Sequence, residues 1–254
     1  MLYTIRNLVL FSACVSAASI DLQQSAQEQP EPEGQDYLAS QTAYGFYLMA
    51  HVSRGRDTHP PVNGLILQGY HVGASIDAGI FHATDAHNPG RVFYINGTNR
   101  QYTAITDAGM FPYGLTMPRP GRQNQGGVNP VMIQAGSGTP AHVAQYGPDI
   151  QLVNELGVGT YLACDRPSAY YRRNLLQLEY SYSDCRKKAT GNKGGKLGDE
   201  VASEVAEAED CSKPVVPSGC AAIVLVPHCT ALPPMHPGPG NYINHKYARR
   251  VPCM

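Results

Sequence analysis

From residue 37 to residue 180 no stretch keeps an apolar 3.6-residue period for three turns, so amphipathic helices are not an option for most of this chain. What recurs is alternation. Phe46, Leu48, Ala50 and Val52 fall on one face of a strand over 46–52, and 65–72 reads as a second strand. In Arg91-Val92-Phe93-Tyr94-Ile95-Asn96-Gly97, followed by β-forming residues to Ile105, the Asn-Gly pair predicts a hairpin with its turn at Asn96-Gly97. Further short strands are predicted at 113–117, 130–135, 141–146, 158–164, 174–180 and 221–226. With 26 Gly and 20 Pro to supply turns, the chain is expected to be all-β, an antiparallel β-sandwich with irregular loops. No internal repeat is present.

The first 18 residues have the layout of a secretory signal peptide. Arg6 supplies a positive n-region, residues 8–15 an apolar stretch, and Ser16-Ala17-Ala18 the small residues of a cleavage site. That apolar stretch falls well short of the ~20 residues a spanning helix needs, so a secreted chain with no membrane span is expected. Residues 19–42 follow as a flexible leader rich in Gln, Glu and Pro, with too little apolar surface to fold.

Cysteine usage agrees with export. Beyond Cys14 there remain Cys164, Cys185, Cys211, Cys220, Cys229 and Cys253, an even set that reads as a disulfide framework with 15 formal pairings. A zinc site would want a Cys-x2-Cys pair, and there is none. Cys185 and Cys211 flank residues 186–210, which run from basic to acidic without an aromatic. That segment reads as a charged, mobile insertion clamped at its base, where only 199–209 allows a short helix. Residues 230–254 read as an irregular tail rich in Pro and Gly, anchored by Cys253.

Charge narrows the partners. Lys+Arg 19 against Asp+Glu 20 leaves no basic excess for a phosphate backbone, so nucleic acid is not expected. No pattern for a cofactor is present. His82, Asp85 and His87 lie close together, but Asn88-Pro89-Gly90 follows at once, and an exposed turn is the preferred reading over a metal site. Gly136-Ser137-Gly138 lacks the Gly-x-Ser-x-Gly elbow and reads as a turn. His71 alternates with Leu65 and Leu67 and is expected to be a buried structural histidine, with ligand binding as the rival reading. The 16 Tyr are read mainly as strand and core positions, the rival being an exposed contact surface. Asn96-Gly97-Thr98 is a glycosylation sequon on the predicted turn, so a glycan at Asn96 is expected.

Several strings occur together and in order: 67–74 (LQGYHVGA), 93–98 (FYINGT), 111–117 (FPYGLTM), 130–138 (PVMIQAGSG), 161–165 (YLACD) and 217–221 (PSGCA). This set resembles a family of fungal secreted proteins known only as a domain of unknown function, over residues 43–229 less the charged insertion. The resemblance implies a single β-rich domain with one cysteine pair, matching Cys164 and Cys220. It carries over no catalytic residue. Given that pair, Cys185–Cys211 follows from the flanked loop and Cys229–Cys253 by elimination. Where such proteins often have Trp after the Cys-Asp, this chain has Tyr170 and Tyr171, which with His71 become the candidate binding residues.

The expectation is a secreted, non-catalytic, monomeric extracellular protein, acting as an effector or binding protein at a host surface. Its partner would be an extracellular protein or a polysaccharide. The alternatives are a cell-wall carbohydrate-binding protein and a secreted hydrolase of unrecognised class, whose residues converge in space and leave no local trace.

Overall fold

The computed structural model describes residues 41–85, 89–98, 101–119, 128–136, 138–169, 171–183, 185–186, 210–211, 213–235 and 238–254. The signal peptide, most of the leader, 187–209 of the insertion, His87, Ser137 and Tyr170 lie outside them. The first strands are β1 (Gln41–Ala43), β2 (Gly45–Arg54), β3 (Ile66–Gly73), β4 (Ile76–His82), β5 (Phe93–Thr98), β6 (Gln101–Ala108), β7 (Phe111–Thr116), β8 (Val128–Pro130) and β9 (Met132–Ala135). Then come β10 (Ala141–Tyr146), β11 (Asp149–Asn154), β12 (Gly159–Ser168), β13 (Arg173–Tyr182), β14 (Cys185–Arg186), β15 (Asp210–Cys211), β16 (Cys220–Thr230), β17 (Ala248–Arg249) and β18 (Val251–Cys253). Among the described residues the one helical element is a 3-10 turn at His245–Tyr247, and no helix is long and apolar enough to cross a membrane.

Twelve of these strands form one antiparallel sheet in the order β17-β5-β6-β7-β9-β4-β3-β2-β16-β12-β13-β8. The sheet folds back on itself where Phe46 of β2 pairs with Phe93 of β5, and where Ile80 of β4 pairs with Gln177 of β13. The second contact closes β4-β3-β2-β16-β12-β13 into a ring, and the first closes β5-β6-β7-β9-β4-β3-β2. The layers of the expected sandwich are thus folds of a single sheet.

Alternation builds the core. Phe46, Leu48 and Ala50 are fully buried and join Leu67, Phe81, Phe93, Leu178, Ile223 and Leu225 in one apolar cluster. Tyr47, Met49 and His51 lie on the other face of β2, half-buried. Each buried Phe or Leu stabilises the fold by about 1.5–3 kcal/mol, so two facing phenylalanines make the β2–β5 contact a strong closure despite its single residue pair.

The predicted hairpin is present, but its turn is elsewhere. Asn96 pairs with Thr103, Gly97 with Tyr102 and Thr98 with Gln101, so the chain reverses three residues later than the Asn-Gly signal indicates. Gly97 serves a different need, because a Cβ there would collide with the carbonyl oxygen of Gln101. Asn96 is half-buried between β6 and β17, and its Nδ2 donates to the Asn244 carbonyl at 3.3 Å. Asn96 thus lies within the strand pair and not on the exposed turn expected for it.

The tail is also more ordered than its composition suggests. β18 pairs with β1, which brings Gln41 and Thr42 of the expected leader into the fold. β17 pairs with β5, the Met254 N–H donates to the Pro227 carbonyl at 3.0 Å, and a disulfide joins Cys229 to Cys253 with Cα atoms 5.2 Å apart. Before β17, the His245 ring nitrogen Nε2 lies 3.0 Å from Asp107 Oδ2, while the Tyr94 hydroxyl donates to Oδ1 at 2.9 Å. Burial and the adjacent carboxylate hold the Tyr94 phenol far above its ordinary pKa, so it stays a donor. Pro and Gly were misleading because this strap is held by side chains and two short pairings, which leave no periodicity to read.

Candidate functional site

β3, β4 and β13 carry the site on the sheet face turned away from the main core. On that face Gln68 stands opposite Ile80 and Tyr70 opposite Ala78, while Ile80 also pairs with Gln177 of β13. Gln68, Gly69, Tyr70, Ile80, His82 and Arg173 line an open concavity of about 230 Å³. Its floor is apolar, Ile80 being buried. Gln68 is 8% exposed, and its amide nitrogen is buried with no hydrogen-bond partner. Arg91 Nη1 and Ser181 Oγ are buried in the same way, so the amide does not by itself mark a ligand.

The rim is built by aromatic and cationic groups. The rings of Tyr70 and Tyr171 lie 3.9 Å apart between centroids, and the Tyr171 hydroxyl donates to the His71 carbonyl at 2.9 Å. Arg173 donates from Nη2 to the Tyr70 hydroxyl at 2.9 Å, its guanidinium carbon 5.9 Å from that ring's centre. Among the described residues no carboxylate lies within ion-pairing distance of Arg173. His82 Nδ1 lies 2.6 Å from the Ala83 carbonyl, so in the neutral ring Nδ1 carries the proton and Nε2 is an acceptor.

Behind Gly69 the Arg91 guanidinium fills the place of a side chain, for a Cβ there would come within 2.5 Å of its central carbon. Arg91 pairs with Asp77 at 2.9 Å, and His71 Nδ1 lies 3.5 Å from the same carboxylate. This corrects the reading of His71 as a buried structural histidine, since its side chain is 60% exposed. Alternation from Leu65 and Leu67 implies burial only while the strand has core beside it. Past Gly69 the neighbour is a charged pair.

Farther along the same face, Arg166 clamps Glu179 through Nε and Nη2, both at 2.8 Å, beside the Cys164–Cys220 disulfide. Those two cysteines stand directly opposite on β12 and β16, with Cα atoms 4.0 Å apart. Cys164, Glu179 and Cys220 also have metal-ligand spacing, but the sulfurs are bonded to each other and the carboxylate to Arg166. Cys185 faces Cys211 across the β14–β15 pair, while their side chains lie outside the described residues. On the outer face of β2 and β16, His51 and His228 approach with ring centroids 6.3 Å apart. Burial, then the neighbouring His51, lowers the His228 pKa, so this imidazole is held neutral.

Of the residues singled out from sequence, His71 and Tyr171 adjoin the pocket and His82 lines it, whereas Asn96 lies apart on β5. Gln68, Tyr70 and Arg173 were missed as site residues. A readable signal existed for one of them: Gln68 is an amide directly after the apolar run Leu65-Ile66-Leu67. The core reading of the tyrosines holds for Tyr94, Tyr161 and Tyr180, which are buried, and not for Tyr44 or Tyr146.

A family model described as a domain of unknown function, DUF7907, matches residues 43–229. The chain belongs to the DUF7907 family. No curated protein and no solved structure matches it significantly. The DUF7907 match takes in β3, β4 and β13, and with them every lining residue of the pocket. It stops at Cys229, so the docked strap is outside the DUF7907 span and reaches it through the Cys229–Cys253 bond.

Proposed function

We propose that the protein is a secreted, non-catalytic extracellular binding protein, of fungal origin as its sequence resemblance implies, which takes its ligand in the concavity on β3, β4 and β13 at a host or cell-wall surface. The observation that carries this reading is the concavity itself, where the exposed Arg173 guanidinium and the Tyr70 ring meet over the buried Ile80. Secretion is supported by the signal-peptide layout and by the disulfides Cys164–Cys220 and Cys229–Cys253, which belong to an oxidising compartment. A carbohydrate-binding role is the second reading, favoured by the Tyr70–Tyr171 pair at the rim.

Gln68→Leu makes the test specific. It removes the orphaned donor at nearly constant volume, so the free protein is expected to gain about 1 kcal/mol of stability while retention on its target falls. The readout is retention of the secreted protein by insoluble wall polysaccharides and by host extracellular extract, beside thermal melting. Retention unchanged by Gln68→Leu sinks the site. Turnover of an ester, glycoside or peptide substrate that vanishes in a folded His82→Ala variant sinks the non-catalytic reading.

A further inference from the structure

Resting on that reading, we infer that the pocket recognises a carboxylate-bearing sugar, a uronic acid unit of an acidic polysaccharide. The exposed guanidinium of Arg173 lines the concavity beside Gln68 and Tyr70. Arg173 spends one N–H on the Tyr70 hydroxyl and has four more to offer. The lining contains no Asp or Glu, and the carboxylate on the next stretch of sheet, Asp77, is already engaged by Arg91. The lining thus holds a cation without an anion, which selects a carboxylate over a cationic or purely apolar ligand.

A carboxylate alone leaves the rest of the lining unused. His82 Nε2 is an acceptor suited to a sugar hydroxyl, and Ile80 with the Tyr70 ring offers apolar surface to the C–H face of a pyranose. The volume of about 230 Å³ is below the usual ~300–1,000 Å³ of small-molecule pockets, so it fits one ring. Because the concavity is open, that ring can be a unit of a longer chain crossing the sheet face.

Calorimetric titration of the secreted full-length protein tests this with a galacturonic acid trimer, its methyl ester, a cellotriose, the free monosaccharide acid and a poly-glutamate peptide. The acid trimer is expected to bind, the ester and the neutral trimer about tenfold or more weakly, and the monosaccharide more weakly than the trimer. Arg173→Gln should weaken the acid trimer by about the same factor and the ester by clearly less, so that the preference for the acid is lost. Equal binding of neutral and acidic trimers, no binding of any saccharide, or preference for poly-glutamate overturns the inference. If Gln68→Leu still abolishes retention in those cases, the pocket stands and only its ligand class is wrong.

Discussion

Replacing Cys164 and Cys220 together by alanine is expected to lower the unfolding free energy by about 4 kcal/mol. The bond closes a loop of 56 residues, and the chain-entropy relation gives about 4 kcal/mol for a loop of that length. Alanine leaves little void, so the effect is chiefly on the unfolded chain. Opening Cys229–Cys253, a separation of 24, should cost about 3.5 kcal/mol by the same relation. Against the 5–15 kcal/mol typical of a whole domain, the first change alone removes a large part of the stability. Denaturant unfolding of the double-alanine variant measures it. A loss under about 1 kcal/mol would show that the bond is incidental to the fold.

Apart from the disulfides, the largest effect is expected at the Arg166–Glu179 pair. The Glu179 side chain is only 8% exposed and sits on the face that carries Leu162, opposite it on β12, and Cys164. Arg166 supplies both of the carboxylate's short hydrogen bonds and is itself 34% exposed. Arg166→Met strands a buried charge and should cost about 3 kcal/mol, while adding Glu179→Leu removes the stranded charge and restores most of the loss. This non-additivity is the signature to look for in the double-mutant cycle. Additive penalties would mean that both side chains act by packing alone.

The sheet was legible because burial on one face imposes a period of two, visible in Phe46, Leu48 and Ala50. The hairpin was legible but misplaced by its Asn-Gly signal, because Gly97 answers to the Gln101 carbonyl across the strand pair and not to a turn. β4 was not foreseen. Gly79 within it faces the Val131 carbonyl at close range, so the strand carries a glycine where a pattern reader expects a side chain. The site was hardly legible. Residues 68, 70, 82 and 173 meet only because β4 bridges to β13, a contact made through the single pair Ile80 and Gln177. Periodicity pointed to His71 on the wrong face, and no local spacing joins Arg173 to Gln68.

We propose the concavity on β3, β4 and β13 as the place where this protein meets its ligand. Two-dimensional amide NMR addresses it directly, with oligomers cut from whichever polysaccharide retains the protein. Shifts are expected to concentrate on Gln68, Tyr70, His82 and Arg173 and to vanish in Gln68→Leu. Shifts centred instead on the exposed Phe111–Tyr242 stack, or persisting unchanged in Gln68→Leu, would contradict it.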